Sequence, residues 1–484
     1  MIFVYLLTAI CATFACYNYL LVLQSTGYKP WRGYYWVVKT VWFWLHLCGG
    51  VLLYIFDIAW YFSVTFVTVT AVIQWTKKRK VRLAITKRII RIMVLLFVAN
   101  FAVCWLVDIG ISIALLPLLV IASWLILLPI ESLIASYYIG KARKKLSQVN
   151  LTIIAVTGSY GKTSVKDMIA SLLSNSLAPA GSCNTPIGIA KFINSTDLST
   201  AKYLVLEFGA RGKWDIKKLC KLYPPQGGVL TGICPQHLST FGNLDNVIFA
   251  KQQLLLGINM HGFCVLNSAS NAVEYGNIGS CKKIESNSNL QIELSNIDFC
   301  GSTFVVKHQD KTATVTLSQI ALHTADTLAM AMQVCLQLGQ SFEQTIDNLS
   351  KVKQTPHRME ISRCNDFYIV DDSYNASLVG VESCAKTLSF FHCPKVVITQ
   401  GIVECGKDRK QQNLQCGKLL GGVVDVAVTL GKNSSYLQQG LLLGGCNKVL
   451  SATNLTDAVT IARKYAVGGL LVFQNDLPDS VNVM

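Results

Sequence analysis

The 484-residue sequence has very few acidic residues in its first third. Residues 1–148 contain 15 lysines and arginines but only three acidic residues, and hydrophobicity is concentrated in the first 130 positions. The remaining residues contain 28 basic and 24 acidic side chains, a net charge of only +4. Because a nucleic-acid-binding domain is expected to carry a basic face, this near-neutral part argues against nucleic acid as a partner.

The 17 cysteines include no C-x-x-C pair. Disulfide frameworks and zinc sites have recognisable cysteine spacings, and this sequence has none of them. We therefore expect buried, reduced cysteines in a cytosolic domain rather than a disulfide or zinc framework.

Long apolar stretches dominate the amino-terminal region, at residues 2–23, 37–75 and 92–130. The first is long enough to cross about 30 Å of hydrocarbon, and the other two are interrupted near Asp57 and Asp108. A cleaved signal peptide is the alternative for residues 2–23, but no basic segment precedes them and further apolar stretches follow. We predict a helical transmembrane domain over residues 1–148.

Two basic segments predict the orientation of this domain. Residues 77–91 contain eight lysines or arginines and residues 141–145 contain four. Basic loops remain on the cytoplasmic side of a membrane, so an even number of spans should separate these two segments. We expect a multi-pass protein of the cytoplasmic membrane, with four or five spans and five favoured, and with cytoplasmic catalytic domains.

From residue 151 onward, short apolar runs alternate with helix-like stretches, which is typical of a parallel α/β fold. The predicted strands are 151–156, 203–207, 228–231, 263–266, 367–371, 395–399, 425–430 and 470–473. Residues 285–317 instead show an alternating pattern that predicts antiparallel strands, and a helix is predicted over 323–338. A boundary near Thr355 and Pro356 gives two domains, residues 149–355 and 356–484.

A glycine-rich segment, TGSYGKTS at residues 157–164, joins the first of these strands to a predicted helix. Such a turn presents backbone N–H groups and a helix N-terminus to phosphate. Val156 stands where a longer P-loop would have its first glycine. Lys162 would add a positive charge near the β- and γ-phosphates, and Thr163 could reach Mg²⁺. The candidate phosphate-binding residues are Gly158, Ser159, Tyr160, Gly161, Lys162, Thr163 and Ser164.

Three further residues have side chains suited to the same site. Glu207 ends a predicted strand, His237 follows another, and Lys251 lies on a predicted helix. Active sites of α/β proteins lie at the carboxyl ends of their strands, and carboxylate and hydroxyl oxygens suit Mg²⁺. Taken alone, His237 could equally be a surface or core histidine, and Lys251 a solvated helix lysine.

With these segments the sequence resembles the Mur ligase family, the ATP-dependent amide ligases of peptidoglycan synthesis. The matching segments are 157–164, 184–188, 207–210, 235–242, 250–251, 356–360 and 371–376. The string DDSYNA at 371–376 and residues 399–406, with Asn413 and Gly417, look most like the subgroup that adds D-alanyl-D-alanine (MurF-like). The resemblance covers about residues 149–435 and implies a P-loop α/β central domain followed by a Rossmann-like C-terminal domain.

The resemblance implies roles for the matching residues. Lys162 and the loop amides would bind the phosphates of ATP, Thr163 and Glu207 would bind Mg²⁺, and His237 would bind a second metal ion. Lys251 matches a lysine that is carbamoylated in several family members and helps to hold that metal. Lys162, Glu207, His237 and Lys251 would thus be the catalytic residues. The remaining implied nucleotide contacts are His323, Arg358, Asp372, Tyr374 and Asn375. Arg358 and Asp372 would reach the nucleotide only when the domains close, and Tyr374 and Asn375 would contribute to the nucleotide or to that closed interface.

The implied reaction uses ATP to convert a carboxylate of a muramoyl peptide into an acyl phosphate, which an amine then attacks. The sequence departs from the family pattern at residues 267–270, Trp214 and 322–331, where Asp326 stands near an expected asparagine. Membrane spans also replace the family's soluble uridine-binding domain, which suggests a lipid-linked acceptor. Alternatives are a soluble UDP-linked acceptor, another acceptor such as a polymer of amino acids, or a catalytically silent scaffold among other cell-wall synthesis enzymes.

Overall fold

The computed structural model describes residues 1–25, 28, 41–56, 60–76, 83–235, 238–374, 377–402 and 408–474. They fall into two compact units, Met1–Tyr137 and a second unit that begins at Tyr138. None of the cysteines in the described residues forms a disulfide.

The first unit consists of apolar helices. In chain order they are α1 (Ile2–Ala15), α2 (Tyr17–Ser25), α3 (Val41–Ile55), α4 (Trp60–Thr76), α5 (Lys87–Leu106) and α6 (Ile109–Leu146), the last of which continues into the second unit. By length and composition α5 and α6 could each cross a membrane, and α1 with α2, bent by 41°, could form one more span. In the described residues this gives two or three candidate spans, fewer than the four or five that the sequence predicts.

Polar side chains inside the first unit bond to one another between helices. The Tyr19 hydroxyl lies 2.8 Å from His46 Nδ1, and Asn18 Nδ2 donates to Gln74 Oε1 at 2.9 Å. Buried polar groups cost free energy unless they are hydrogen-bonded. These pairs therefore reduce the cost of burying polar side chains between the apolar helices.

The second unit contains a six-stranded parallel sheet in the order β2-β3-β1-β4-β5-β6. Its strands are β1 (Thr152–Thr157), β2 (Ser176–Leu177), β3 (Tyr203–Glu207), β4 (Gly227–Leu230), β5 (Phe263–Leu266) and β6 (Lys282–Glu285). The helices between them are α7 (Lys162–Leu172), α8 (Pro186–Ser195), α9 (Asp215–Leu222), α10 (Leu238–Phe241), α11 (Leu244–Gly257) and α12 (Ala272–Tyr275).

Alternation along β1 explains why helices cover both faces of this sheet. Ile153 and Ala155 belong to one buried cluster, whereas Ile154 and Val156 belong to another. Successive side chains of a strand point to opposite faces, so a strand that is apolar at every position requires cover on both sides.

An antiparallel sheet of three strands, β7 (Leu290–Asp298), β8 (Gly301–His308) and β9 (Lys311–Leu317), follows. It precedes α13 (Thr324–Gln337), α14 (Phe342–Asn348) and a 3₁₀ turn at Leu349–Lys351. Phe304 of β8 and Val334 of α13 are both fully buried in the cluster that contains Ile154. The antiparallel strands and the helix predicted for 285–338 are therefore confirmed.

The chain then forms a second six-stranded sheet, in the order β10-β11-β15-β12-β13-β14. Its strands are β10 (Glu360–Cys364), β11 (Phe367–Asp372), β12 (Lys395–Thr399), β13 (Val426–Leu430), β14 (Lys448–Ala452) and β15 (Leu470–Gln474). Its helices are α15 (Leu378–Leu388), α16 (Arg409–Gly421), α17 (Ser434–Gly444) and α18 (Leu455–Arg463). Only β10 is antiparallel to its neighbour, so the predicted α/β fold class is confirmed.

Backbone contact between α16 and α17 allows a test of this packing. A Cβ atom added at Gly440 would lie 2.1 Å from the carbonyl oxygen of Leu414, so the two helices would have to separate. We expect Gly440→Ala to destabilise the protein by about 1–3 kcal/mol, as overpacked cores do, and to lower the midpoint of thermal unfolding in detergent. Gly422→Ala is the control, because its Cβ would be 3.8 Å from the nearest atoms. Equal midpoints for the two variants would contradict the packing.

Candidate active site

The glycine-rich loop joins β1 to α7 with a backbone that requires glycine. Gly161 has φ +70° and caps the N-terminus of α7 in the left-handed conformation, which glycine adopts without a steric penalty. A Cβ atom at Gly158 would lie 2.0 Å from Thr231 Oγ1. The first N–H groups of a helix have no partner within the helix, so this turn directs donors toward an anion.

The segment after β4 fixes the position of this loop. The Ser159 backbone N–H donates to the Gly232 carbonyl oxygen at 2.8 Å, and the Ser159 hydroxyl donates to the Cys234 carbonyl oxygen at 3.0 Å. Thr231 Oγ1 donates to the carbonyl oxygen of Tyr160. These bonds cross between adjacent strands, so the sheet itself holds the loop.

Thr163 and Glu207 form the polar centre of the site. Thr163 Oγ1 donates to Glu207 Oε2 at 2.7 Å, and Asn184 Nδ2 donates to Glu207 Oε1 at 2.9 Å. Thr163 and Glu207 are buried. A buried hydroxyl and a carboxylate are oxygen ligands of the type that Mg²⁺ prefers, so these two side chains fit the metal that the sequence predicts.

Two lysines lie near this carboxylate. Lys162 Nζ donates to the Ser159 carbonyl oxygen at 3.1 Å, and burial lowers the pKa of Lys162 while the charge of Glu207 partly restores it. Lys251, on α11, is only 4% exposed. Burial, together with the positive charge of Lys162, lowers the pKa of Lys251 to about 7. Near neutral pH a substantial share of Lys251 is therefore an uncharged amine.

His237 and Asn375, two other candidates, lie outside the described residues, so the predicted second metal ligand has no geometry here. The described candidates of the phosphate loop, with Glu207 and Lys251, lie in one region of the first sheet.

A cleft of about 340 Å³ opens beside the loop. It is lined on one side by residues of the phosphate loop, α13 and the ends of β4 and β5, and on the other by residues of the second sheet. The lining includes Tyr160, Gly161, Ser164, His323, Asp326, Arg358, Asp372 and Tyr374. Small-molecule sites are clefts of about 300–1,000 Å³, so the cleft is of the size needed for a nucleotide.

His323 lies in the cleft and joins its two sides. Its Nδ1 is 2.9 Å from Ser383 Oγ of α15. Burial, followed by the charge of Arg358, lowers the pKa of His323 to about 4, so the ring is neutral at physiological pH. Burial raises the pKa of Asp326, which also lines the cleft.

Arg358, Asp372 and Tyr374 line the opposite side. The Arg358 guanidinium lies 4.7 Å from the centroid of the Tyr374 ring, and the Tyr374 hydroxyl is 2.7 Å from Ser182 Oγ, which follows the first sheet's β2. Burial raises the pKa of Asp372 to about 7, although the charge of Arg358 opposes this shift. Arg358 and Asp372, which the sequence predicts to reach the nucleotide only after closure, thus share a cleft with the phosphate loop.

Four residues of this arrangement are not among the sequence-predicted site residues. Asn184 orients Glu207, while Ser182 and Ser383 connect the two sides of the cleft. His357, which directly precedes Arg358, has φ +61°, and its Nδ1 lies 2.8 Å from Asp371 Oδ2 of β11. Asn184 falls in a matching segment and could have been proposed, but isolated serines give no such signal.

Residues 156–335 match the family model of the Mur ligase middle domain. Two curated relatives are UDP-N-acetylmuramoyl-tripeptide–D-alanyl-D-alanine ligases. The protein from Buchnera aphidicola subsp. Baizongia pistaciae is 30% identical over 271 residues, which are 54% of this chain and 59% of that protein. The protein from Escherichia coli (strain K12) is 25% identical over 299 residues, which are 59% of this chain and 66% of that protein. The chain therefore spans less than two thirds of the length of these relatives.

Solved structures give the same fold. A MurF ligase from Thermotoga maritima in complex with ADP has a TM-score of 0.64 and 21% identity, over 72% of this chain and 83% of that chain. MurF from Acinetobacter baumannii has a TM-score of 0.63 and 20% identity, over 72% of this chain and 79% of that chain. The chain thus has the Mur ligase fold over its α/β region, which confirms the resemblance found in the sequence.

The raised pKa of Asp372 makes stability depend on pH. The native carboxyl has a pKa of about 7, against about 3.9 in an unfolded chain. Between these values the native state binds the extra proton, so stability should fall as pH rises toward 7. We expect Asp372→Asn to remove this loss and to gain about 1–3 kcal/mol relative to the unsubstituted protein between pH 5 and pH 8.

The measurement is the midpoint of thermal unfolding of both proteins across this pH range. Asp366→Asn, at an exposed carboxylate of the same sheet region, is the control and should leave the pH dependence unchanged. Parallel curves for Asp372→Asn and the unsubstituted protein would contradict the burial of Asp372 as a neutral acid.

Proposed function

Because residues 156–335 are a Mur ligase middle domain, we propose that the chain is an ATP-dependent ligase that joins a carboxylate to an amine. The observation that carries this proposal is the juxtaposition of Lys162, Thr163 and Glu207 beside a cleft that two sheets share. We propose the addition of D-alanyl-D-alanine to a muramoyl peptide, by analogy with the activity named for the two curated relatives. The catalytic part would consist of domains 149–355 and 356–484.

The phosphate loop would bind the triphosphate of ATP. Backbone N–H groups at the start of α7 face the anion, and Lys162 adds a positive charge. Tyr160, Gly161 and Ser164 line the cleft on this side. The cleft leads from the loop toward His323 and Asp372, so the nucleoside would lie between α13 and the second sheet.

Thr163 and Glu207 would hold Mg²⁺, with Asn184 orienting the carboxylate. The metal would supply positive charge next to the phosphates, which is its usual contribution to phosphoryl transfer. Lys251 contributes to the same region. Its neutral amine is the form that can add carbon dioxide, and the resulting carbamate would turn a buried cation into an anionic metal ligand.

The reaction follows from these positions in two displacements. An oxygen of the acceptor carboxylate attacks the γ-phosphorus of ATP. The bond between the γ-phosphorus and the oxygen that bridges it to the β-phosphate breaks, and ADP leaves with the electron pair of that bond. The amine of the second substrate then attacks the acyl carbon, loses a proton, and expels inorganic phosphate. Lys162 stabilises negative charge on the phosphoryl group during the first step. These two displacements need no nucleophilic side chain, so the contact of His323 with Ser383 has no catalytic part in them.

The two sides of the cleft would protect the acyl phosphate. Contacts of Tyr374 with Ser182 and of His323 with Ser383 join the two sides of the cleft by hydrogen bonds. Exclusion of water prevents hydrolysis of reactive intermediates. Arg358, whose guanidinium lies over the Tyr374 ring, supplies a further positive charge on this side.

The amino-terminal unit would anchor the ligase in the cytoplasmic membrane as a multi-pass protein. Helices α5 and α6 have the length and composition of spans, and Lys141, Arg143 and Lys144 on α6 are exposed and basic. Basic residues next to a span favour the cytoplasmic side, where ATP is available. Other cell-wall synthesis enzymes would then be possible neighbours in the membrane.

The acceptor would be either a soluble UDP-linked peptide or its lipid-linked form. The lipid-linked form is the alternative suggested by the apolar helices that precede the catalytic part. A catalytically silent scaffold is the second candidate function, suggested by departures such as Asp326. The retained hydrogen bond between Thr163 and Glu207 favours the ligase, since a scaffold does not require it.

The direct test is release of ADP by the full chain purified in detergent. D-alanyl-D-alanine is supplied with the UDP-linked tripeptide or with the lipid-linked precursor. We expect turnover only when both substrates are present, a loss of at least about 100-fold in Lys162→Ala because transition-state charge is no longer stabilised, and a comparable loss in Lys251→Met.

The control variant is Lys418→Ala, at an exposed lysine of α16, which should retain full turnover. Activity with one precursor form alone identifies the acceptor. Absence of turnover with both forms, while ATP still binds and Lys162→Ala abolishes that binding, would contradict the ligase proposal and favour the scaffold.

A further inference from the structure

Five basic residues and a tryptophan form one exposed surface, which we call the α9 face: Arg211, Lys213, Trp214, Lys217, Lys218 and Lys221. Residues 211–221 contain one acidic residue, so their net charge is +4. Residues 149–484 as a whole also have a net charge of +4. The remainder of that region is therefore neutral, and its entire excess of positive charge lies in this segment.

Packing of α9 directs these charges to one side. Ile216, Leu219 and Cys220 are buried in the core on one face of the first sheet, whereas Lys217, Lys218 and Lys221 are exposed. Residues three and four positions apart share one face of a helix. Because the apolar residues of α9 are buried, its three lysines all lie on the face that is exposed to solvent.

Trp214 is 56% exposed, although it precedes α9 directly. Its ring makes an edge contact with Phe249 at 4.9 Å, and Lys217 Nζ lies 5.0 Å from the ring centroid. Tryptophan is enriched where an apolar phase meets water. An exposed tryptophan among lysines is the composition expected of a surface that contacts lipid head groups.

The α9 face shares its core with the carboxyl-terminal end of α6. Ala142 of α6 is fully buried in the cluster that contains Ile216. Lys145 Nζ donates to the Ile193 carbonyl oxygen at 3.1 Å, and Asn194 Nδ2 donates to the Tyr138 carbonyl oxygen at 2.9 Å. The end of α6 is thus fixed rigidly to the domain that carries the α9 face.

That end of α6 follows directly on an apolar stretch. The helix continues without a break from Ile109 to Leu146, and each residue of an α-helix advances about 1.5 Å. Lys141, Arg143 and Lys144 are exposed on it, beyond the apolar stretch that ends at residue 130. The domain that carries the α9 face thus packs on the continuation of a helix that could cross a membrane.

We propose that the α9 face binds the anionic lipid head groups of the membrane in which the chain is anchored. The proposal rests on the membrane anchorage described under the proposed function, but it does not depend on ligase activity. Basic residues next to an anionic leaflet each strengthen binding by about five-fold, and five of them are grouped here with an interfacial tryptophan.

Such contact also bears on the substrate. Trp214 packs against Phe249, which lies two residues before Lys251 on α11. The α9 face therefore packs on the helix that carries Lys251, and membrane contact would keep that helix near an acceptor that is itself held in the bilayer.

The test is lysine footprinting of the full chain in nanodiscs of phosphatidylcholine, with or without phosphatidylglycerol. A brief pulse of an amine-acetylating reagent, read by mass spectrometry, reports the exposure of each lysine. We expect Lys213, Lys217, Lys218 and Lys221 to label at least about three-fold more slowly in the anionic discs. The exposed Lys418 and Lys464 are internal controls and should label equally in both discs.

A matched pair of variants separates the contact from a general effect of charge. Lys217→Glu combined with Lys221→Glu should restore fast labelling of Lys213 and Lys218 in anionic discs, whereas Lys418→Glu combined with Lys464→Glu should not.

Two results would overturn the proposal. One is equal labelling of the α9 face in both kinds of disc. The other is protection that appears only when the UDP-linked precursor is added, whatever the lipid, which would assign the face to a soluble substrate. A chain that fails to enter nanodiscs would contradict the membrane anchorage itself, and none of these results depends on ADP release.

Discussion

Parallel pairing of β1 with β3 and β4 is the constraint on which the candidate site depends. The pairing aligns Val156 with Glu207 and Thr157 with Leu230, so the three strands end at one edge of the sheet. The phosphate loop leaves β1 there, Glu207 ends β3 there, and the segment that anchors Ser159 leaves β4 there. A shift of one residue in either pairing would turn Glu207 or the anchoring segment away from the loop.

The site also buries positively and negatively charged side chains close to one another. Lys162 and Lys251 both have lowered pKa values, because burial disfavours their charged forms and a nearby positive charge, Arg358 for Lys162 and Lys162 for Lys251, lowers each pKa further. Glu207 offsets part of this cost and is itself held by two hydrogen bonds. Such an arrangement is costly as a purely structural feature, but it becomes favourable once phosphate oxygens and a divalent cation occupy the cleft. The electrostatics thus support a ligand-binding role more directly than a scaffold role.

Most of the α/β architecture could be predicted from the sequence because its central strands are continuous apolar runs. The strands around Ile154, Val205 and Val397 were predictable in this way. Strands β2, β6, β10 and β14 were not, because they are short or lie at sheet edges, where fewer buried positions give a weaker apolar pattern in the sequence. Lys162, Thr163 and Glu207 could be predicted from the motif that surrounds them. Ser182 and Ser383 could not, because their contacts join segments that are distant in the chain. The number of membrane spans was harder still, since apolar length alone does not distinguish a span from a buried or bent helix.

The central claim is that this cleft transfers the γ-phosphoryl group of ATP to a carboxylate. The most direct measurement uses an acceptor whose carboxylate carries ¹⁸O, with ATP and the amine substrate, and follows the released phosphate by ³¹P NMR. Formation of an acyl phosphate leaves one acceptor oxygen on phosphorus, so the account predicts phosphate that contains one ¹⁸O atom for each amide formed. Consumption of ATP that yields only unlabelled phosphate would mean that water, and not the acceptor, receives the phosphoryl group, and it would contradict the ligase mechanism.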